Sequence, residues 1–471
     1  MATISSPGIG SGLDVQSIVT QLVALEKAPL TQLKTQATSL QTRMSTYGTI
    51  KSQVSALGDA ASKLSTSKGW NAVTATSSNS AAVGVTASSG APASSFSISV
   101  QQLAKAQSTA SSAVAADTAM GTGSMTIELG SWSGNAFTAG SGTPVTVTIG
   151  SGEDTLAKIA AKINDANAGV SATVLKDASG ERLLMRSKDT GATTGFRVSV
   201  TDDDTNNTDA SGLSRLAYAA GNANGMSQTQ AGQNALATVN GVSISSTSNK
   251  LSNTLPGLTL QLSQVTTAPV EVDVSTDLEA IRTNVQAFID NYNTLNSTIA
   301  NATRYDASTK VAGALQGDST ATGLQNALRS MMRSVTSSTP FSRLSDIGIE
   351  MQTGGKLTLD SEKFDAALDN LDGLKSLFTA STGSATTEGF GLKVKTFAEG
   401  LVDSDGLLSN KTNSIQSSIK RNTAEQDRVN DRASRAEVRY LAQYNAMDAA
   451  VAKLNGLNSF VSQQITMWNK A

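Results

Sequence analysis

The stretch VNDRASRAEVRYLAQYNAMDAAVAKLNGLNSFVSQQITMW, residues 429–468, decides the architecture of this chain. Counting back from Trp468, its apolar and aromatic positions are Ile465, Val461, Leu454, Val451, Met447, Tyr444 and Tyr440, with Asn458 in one slot. The steps alternate three and four, which is a heptad seam. Upstream, Ala436, Ala433 and Val429 follow Tyr440 after a step of four where three is due, so the phase slips there. At helical rise the stretch is a rod of roughly 60 Å. In water such a rod is stable only if its apolar face is packed.

A matching stripe stands at the other end of the sequence. Residues 1–12 are a Gly/Ser-rich lead expected to be loose, and Ser11 with Asp14 resembles a capping box. Val15, Ile18, Leu22 and Leu25 form a short helical face, interrupted at Ala28-Pro29. The stripe restarts one residue out of phase through Leu30, Leu33, Ala37, Leu40, Met44 and Tyr47. It continues past Lys51, with Ile50 beside it, to Val54, Leu57, Ala61 and Leu64. Two such stripes are satisfied most simply by each other or by copies of themselves in an oligomer. The termini are therefore expected to lie together.

The middle of the chain has a different character. After Trp70 a Ser/Thr/Ala/Val stretch leads to period-two strands at Phe96–Val100, Met125–Leu129 and Val145–Ile149. A helix with Leu156, Ile159, Ala160 and Ile163 on one face follows, and then a hairpin turning at 176–180. Residues 202–232 are polar and non-periodic and read as a loop or connector. Asn240-Gly241, between Ala237, Val239 and Val242, Ile244, is the strongest hairpin signal. At Thr276, capped with Glu279, the period returns to helical through Leu278, Ile281, Val285, Phe288, Tyr292, Leu295 and Ile299. Further helices around Leu324–Val335 and Phe364–Leu371 flank a small hairpin about Gly354-Gly355. The order is helices, β, helices.

The fold class expected is α+β and multidomain: terminal heptad helices forming a coiled-coil or helical-bundle leg, with two inserted β-rich head domains. The boundaries expected are 1–45 with 430–471 for the terminal coiled coil and 46–70 with 276–429 for the helical leg domain. An inner β-rich domain takes 71–110 with 233–275, and an outer one takes 111–232.

Composition narrows the chemistry. The chain has 471 residues with 4% aromatic, 16% charged, and neither cysteine nor histidine. Thiol nucleophiles, imidazole bases and the usual transition-metal ligands are thereby removed, so no enzyme activity, cofactor or metal is expected. A net charge of −2 offers no footprint for nucleic acid or an anionic membrane. No window has the apolar length of a membrane span, and with Lys27 as the first basic residue no cleaved secretory signal is expected. The acidic run from Asp202 does not satisfy a calcium loop, with Asn207 where glycine is needed and Leu213 where glutamate is needed. Arg428, Arg432, Arg435 and Arg439 alternate with acids and read as a solvated, ion-paired face.

Several segments carry a resemblance. GIGSGLDVQSIVTQLVALEKAPL (8–30) and DTLAKIAAKINDANAGVSATVLKDASGERLLMRS (154–187) are followed by VNGVSISSTSNKLSNTLPGLTLQL (239–262) and FIDNYNTLNSTI (288–299). LSDIGIEMQTGGKLTLDSEKFDAAL (344–368) and AQYNAMDAAVAKLNGLNSFVSQQI (442–465) complete the set. In these segments, and over essentially its whole length, the chain resembles the flagellar cap proteins, also called flagellar hook-associated protein 2. The least family-like parts are 110–141 and 202–232.

The resemblance implies a homo-oligomeric ring, pentameric or close to it, that lids the distal tip of the flagellar filament. It implies flagellin and the filament tip as partners, with a flagellar export chaperone. The lid would stop flagellin leaking away and promote its polymerisation, and export would run through the flagellar type III channel. The terminal segments, about 1–44 and 435–471, would engage the filament. The seam residues expected to carry assembly are Leu30, Leu33, Leu40, Met44 and Tyr47 at one end and Tyr444, Met447, Val451, Leu454, Val461, Ile465 and Trp468 at the other. The alternative is another axial flagellar component, or a surface adhesin whose outer β domain binds a host ligand.

Overall fold

In the computed structural model, residues 12–384 and 386–469 are described, so the loose lead at 1–11 and the Ser11 cap lie outside the described residues. The helices are α1 (Val15–Glu26), α2 (Pro29–Leu64), α3 (Leu156–Asp165), α4 (Leu278–Thr303), α5 (Ser319–Met332), α6 (Ser361–Leu368), α7 (Leu371–Thr379), α8 (Phe390–Val402) and α9 (Leu407–Trp468). The chain divides into two compact units. One takes both ends, up to Trp70 and from Glu279 on, and the other takes Asn71–Leu278.

In the helical unit, α1 starts on Asp14, whose carboxylate accepts from the Ser17 amide at 2.9 Å. Pro29 opens α2, where its missing N–H costs nothing. The α4 stripe is buried as its periodicity requires, with Ile281, Val285, Phe288, Tyr292, Leu295 and Ile299 all inside. The helix begins only at Leu278, and Thr276 ends the preceding strand, so the cap expected at Thr276 is displaced. Tyr47, Ile50, Val54, Leu57 and Leu64 of α2 share one core with α4 to α8 and with Leu408 and Ile415 of α9.

Close approach of α2 to α8 depends on a residue without a side chain. A Cβ on Gly58 would stand 2.9 Å from the Ala398 Cβ, inside the distance that packed carbons tolerate. Trp70 closes the end of this core by stacking 5.3 Å from Phe378, while its indole N–H donates to Leu64 O at 2.8 Å.

The β-rich unit has two main cores and a small third cluster of Ala91, Leu258 and Val274. Its strands are β1 (Val73–Ser77), β2 (Val83–Ala87), β3 (Ser94–Gln102), β4 (Ser108–Ala110), β5 (Gly123–Ser133), β6 (Ala136–Ala139), β7 (Val145–Ile149) and β8 (Val170–Asp177). They continue as β9 (Gly180–Ser187), β10 (Gly195–Asp202), β11 (Ser227–Gln230), β12 (Ala235–Val239), β13 (Val242–Ser246), β14 (Lys250–Leu255), β15 (Leu258–Leu262) and β16 (Val270–Thr276). A five-stranded sheet in the order β1-β16-β3-β12-β13 and a three-stranded sheet β14-β15-β2 share the core of Val83, Ile98, Val100, Leu260 and Val272. The β12–β13 turn is the expected one: Asn240 and Gly241 both have positive φ, 49° and 82°, as a type I′ turn demands. The Asn240 carboxamide also accepts from the Ser97 amide at 2.8 Å, tying the turn to β3.

The second core lies between the sheet β10-β5-β6, with β7 also on β5, and the sheet β11-β4-β9-β8. α3 contributes Ile159 and Ile163 to it, with Met125, Leu183, Met185 and Phe196.

The stretch 202–232 is not the loose connector its composition suggested. Leu213, Leu216 and Met226 are buried in the second core, and β11 pairs with β4. Local hydrogen bonds supply what periodicity lacks. Buried Asp202 accepts from the Ser214 amide at 3.2 Å, and Ser214 Oγ donates to Asn206 O at 2.6 Å. Asp204 and Asp209 accept from amides two residues on, at 2.8 and 3.3 Å, so these acids are turn formers.

Candidate assembly surface

At about 1.5 Å per residue, the 62 residues of α9 make a rod near 93 Å long. Its environment changes along that length. The first part is seated: Leu408, Ile415, Val429, Ala433 and Ala436 are buried, with Ile419 half-buried against the core. The spacing there is heptad-like, and polar groups sit in the seam. Asn422 is buried and donates to Leu33 O at 3.1 Å and Gln36 Oε1 at 3.0 Å, while Gln426 donates to its Oδ1 at 2.7 Å. Lys51, which takes a seam slot of α2, donates to buried Ser409 at 2.8 Å. These pairs set α2 and α9 antiparallel and in one register, because shifting them strands polar groups.

A buried carboxylate fastens the same region. Asp318 caps α5 through the Thr320 amide at 3.0 Å. It also accepts from Tyr47 Oη at 2.7 Å and Arg43 Nη2 at 2.8 Å, and lies 3.0 Å from Lys411 Nζ. Burial alone would raise its pKa. Hydrogen bonds from Tyr47, Lys411 and Arg43, with the Lys411 charge, outweigh burial and hold the carboxyl well below the usual range. Burial, reinforced by Asp318, pushes the Tyr47 phenol up. Three elements far apart in sequence, α2, α5 and α9, are thus joined at one ion.

α1 then takes over from α2 as the partner of α9. Val15, Val19 and Val23 are buried with Ala433, with Tyr440, Leu441 and Tyr444 packed around them. Arg432 reaches Glu26 at 3.1 Å. Past Tyr440 the inward positions advance by four, to Tyr444 and then Asp448, so Asp448 is buried while Met447 is 37% exposed. Met447 therefore stands outside the packed face. The phase slip read at Tyr440 thus extends one step further.

Beyond Val451, which is half-buried, every described residue of α9 is exposed. Leu454, Val461, Ile465 and Trp468 are 65%, 46%, 52% and 85% exposed. Leu457, Phe460 and Met467, which the heptad count passes over, are exposed as well. Apart from exposed Met447, the expected seam residues fall into two groups. Tyr47 is buried and Leu30, Leu33, Leu40, Met44, Tyr444 and Val451 are half-buried, while the last four C-terminal positions touch none of the cores. Arg428 pairs with Glu425 at 2.7 Å on the solvated face. The described end of α9 thus carries a bare apolar stripe.

Among the described residues no group of three or more acidic side chains is placed to hold a metal ion, and no helix is long and apolar enough to cross a membrane.

The comparisons with known proteins agree on one family. The pattern of the flagellar hook-associated protein 2 N-terminus matches residues 11–107 and that of its C-terminus residues 232–456; the flagellin hook IN motif matches 136–189. Flagellar hook-associated protein 2 of Escherichia coli (strain K12) is 33% identical over 482 residues, covering 98% of each chain. The B-type flagellar hook-associated protein 2 of Pseudomonas aeruginosa is 31% identical, over 95% of this chain and 94% of its own. The crystal structure of the flagellar cap protein FliD D1-D2-D3 domains from Escherichia coli superposes with a TM-score of 0.63 at 32% identity. It covers 79% of this chain and 99% of that one.

Proposed function

The chain belongs to the flagellar hook-associated protein 2 family and is a flagellar filament cap protein, and on that premise we propose how it works. Copies assemble at the filament tip into a ring, pentameric or close to it. The ring keeps exported flagellin from leaking away and guides each subunit into the growing lattice. The helical unit supplies the filament-engaging part through the terminal segments 1–45 and 430–471, and the β-rich unit, with its inner and outer domains, supplies the lid. The chain reaches the tip unfolded through the flagellar type III channel, escorted by an export chaperone that covers apolar surface before assembly.

One observation carries this reading: the stripe of Leu454, Val461, Ile465 and Trp468, bare on the last turns of α9. A helix with that surface is complete only when docked among other helices. The test is the triple variant Leu454→Asp, Val461→Asp, Ile465→Asp expressed in place of the natural chain. Flagellin should appear as monomer in the medium and filaments should be short or missing, while circular dichroism of the purified variant matches the parent. Filaments of normal length with no spilled flagellin would overturn the assignment of the stripe. Native mass spectrometry of the assembled particle reads the ring stoichiometry.

A further inference from the structure

A groove between α5 and α8 is lined by a buried lysine that makes no ion pair among the described residues. Ala327 and Met331 of α5 face Lys393, Thr396 and Phe397 of α8 across a space of about 560 Å³. Lys393 is 7% exposed. Its Nζ donates to Val335 O at 2.8 Å and to Ser334 Oγ at 3.1 Å, and lies 5.2 Å from the centre of the Phe390 ring. Both acceptors are neutral, and an ammonium has three N–H donors. Among the described residues no carboxylate comes within the 4.0 Å of an ion pair. Glu388, also on the groove wall, acts on Lys393 only at longer range.

A buried ammonium whose hydrogen bonds go only to neutral oxygens, with its nearest acting carboxylate beyond ion-pair distance, is electrostatically incomplete. The walls of the groove are mainly apolar, with half-buried Met331 and Phe397 on opposite sides. A cleft between two helices receives a third by packing ridges into the groove. We propose that the α5/α8 groove docks an acidic amphipathic helix of a partner protein: one carboxylate meets Lys393, and flanking aliphatic side chains fill the space between Met331 and Phe397. This surface is separate from the bare end of α9 and does not depend on the reading given to that stripe.

The test uses the full chain and two blocked helical peptides, one with a glutamate set between leucines four residues before and three after, the other with glutamine in its place. Binding is read by fluorescence anisotropy and by the NMR shift of the Met331 methyl. The glutamate peptide should bind at least tenfold tighter than the glutamine peptide, as expected for a charge-assisted bond in a shielded site. Lys393→Met should erase that difference, Lys393→Arg should retain it, and Glu388→Gln should tighten the glutamate peptide several-fold by removing a competing carboxylate. Thermal melting checks that each variant is folded. Equal binding of the two peptides, no binding of either, or undiminished discrimination by Lys393→Met would overturn the proposal. So would saturation by 4-phenylbutyrate with no competition from the glutamate peptide, since the site would then serve a free small carboxylate.

Discussion

The two ends of α9 both carry apolar stripes and stand in opposite environments. From Leu408 to Ala436 the helix carries small and medium apolar groups with Ser409 and Asn422 among them, and nearly every inward position is covered. From Leu454 to Trp468 it carries larger apolar groups, and all are exposed. Seating is therefore not a matter of hydrophobicity. The proximal part is seated because α2 and α1 present a matched face and polar groups lock the register, while the part from Leu454 to Trp468 touches none of the cores. An apolar stripe tells where a helix wants to pack, while its partner decides whether it does.

Substitutions can break that contrast, and the largest effect is expected at the buried ion. Asp318→Ala strands Arg43, Lys411 and Tyr47, and loss of one partner from a buried charge cluster costs about 3–5 kcal/mol. Calorimetry should show the helical unit melting earlier while the β-rich unit melts as before. A single unchanged transition would mean that the ion does not hold α9 in place.

Next is overpacking at the α2/α8 crossing. Gly58→Val should cost about 1–3 kcal/mol, since its Cβ would meet Ala398 at 2.9 Å, and this is read as a lower urea midpoint. Acid should act on the same unit with a defined sign. The Asp318 carboxyl has a folded pKa below its unfolded value. It therefore contributes stability that is fully present above about pH 4 and is lost as pH falls below that. Asp318→Asn should flatten this part of the pH–stability curve, and an unchanged curve would refute the ion's role.

Smaller effects sharpen the contrast. Ala433→Asp puts a charge against Val15, Val19 and Val23 and should free α1 with little change in the main core. Trypsin would then cut faster after Lys27, and an unchanged cutting rate would show that the α1 contact is not needed. Asn422→Leu should leave stability within about 1 kcal/mol of the parent but loosen the antiparallel register, seen as mixed distances between spin labels on α2 and α9. At the distal end, aspartate at Leu454, Val461 and Ile465 should change monomer stability by less than about 0.5 kcal/mol while abolishing capping. A drop of several kcal/mol instead would mean that the stripe is packed within the free chain.

Much of this was legible in the order of the residues. Periodicity located α2, α4 and α9 and left their partners open between each other and copies in an oligomer, and Asn240-Gly241 located its hairpin, because both signals depend on near neighbours. The Asp318 cap of α5 was readable in principle from the run Asp318-Ser319-Thr320 ahead of Leu324 and Leu328. Its bond to Arg43, 275 residues away, was not. Nor was the burial of Leu213, Leu216 and Met226 in a stretch that reads as polar loop, since contacts made across the fold leave no period.

What the sequence by itself determined is therefore local and repetitive: which periodic segments are helix or strand, which faces are apolar, and, through the letters shared with its family, that the chain is a flagellar cap protein. Only the tertiary structure decided which apolar faces are covered. It put Asp448 inside in place of Met447, gathered Arg43, Tyr47 and Lys411 on one carboxylate, and left the stripe from Leu454 to Trp468 bare. The physical reason is that burial belongs to pairs of surfaces, and a residue's own neighbours in the chain do not specify the surface that will meet it.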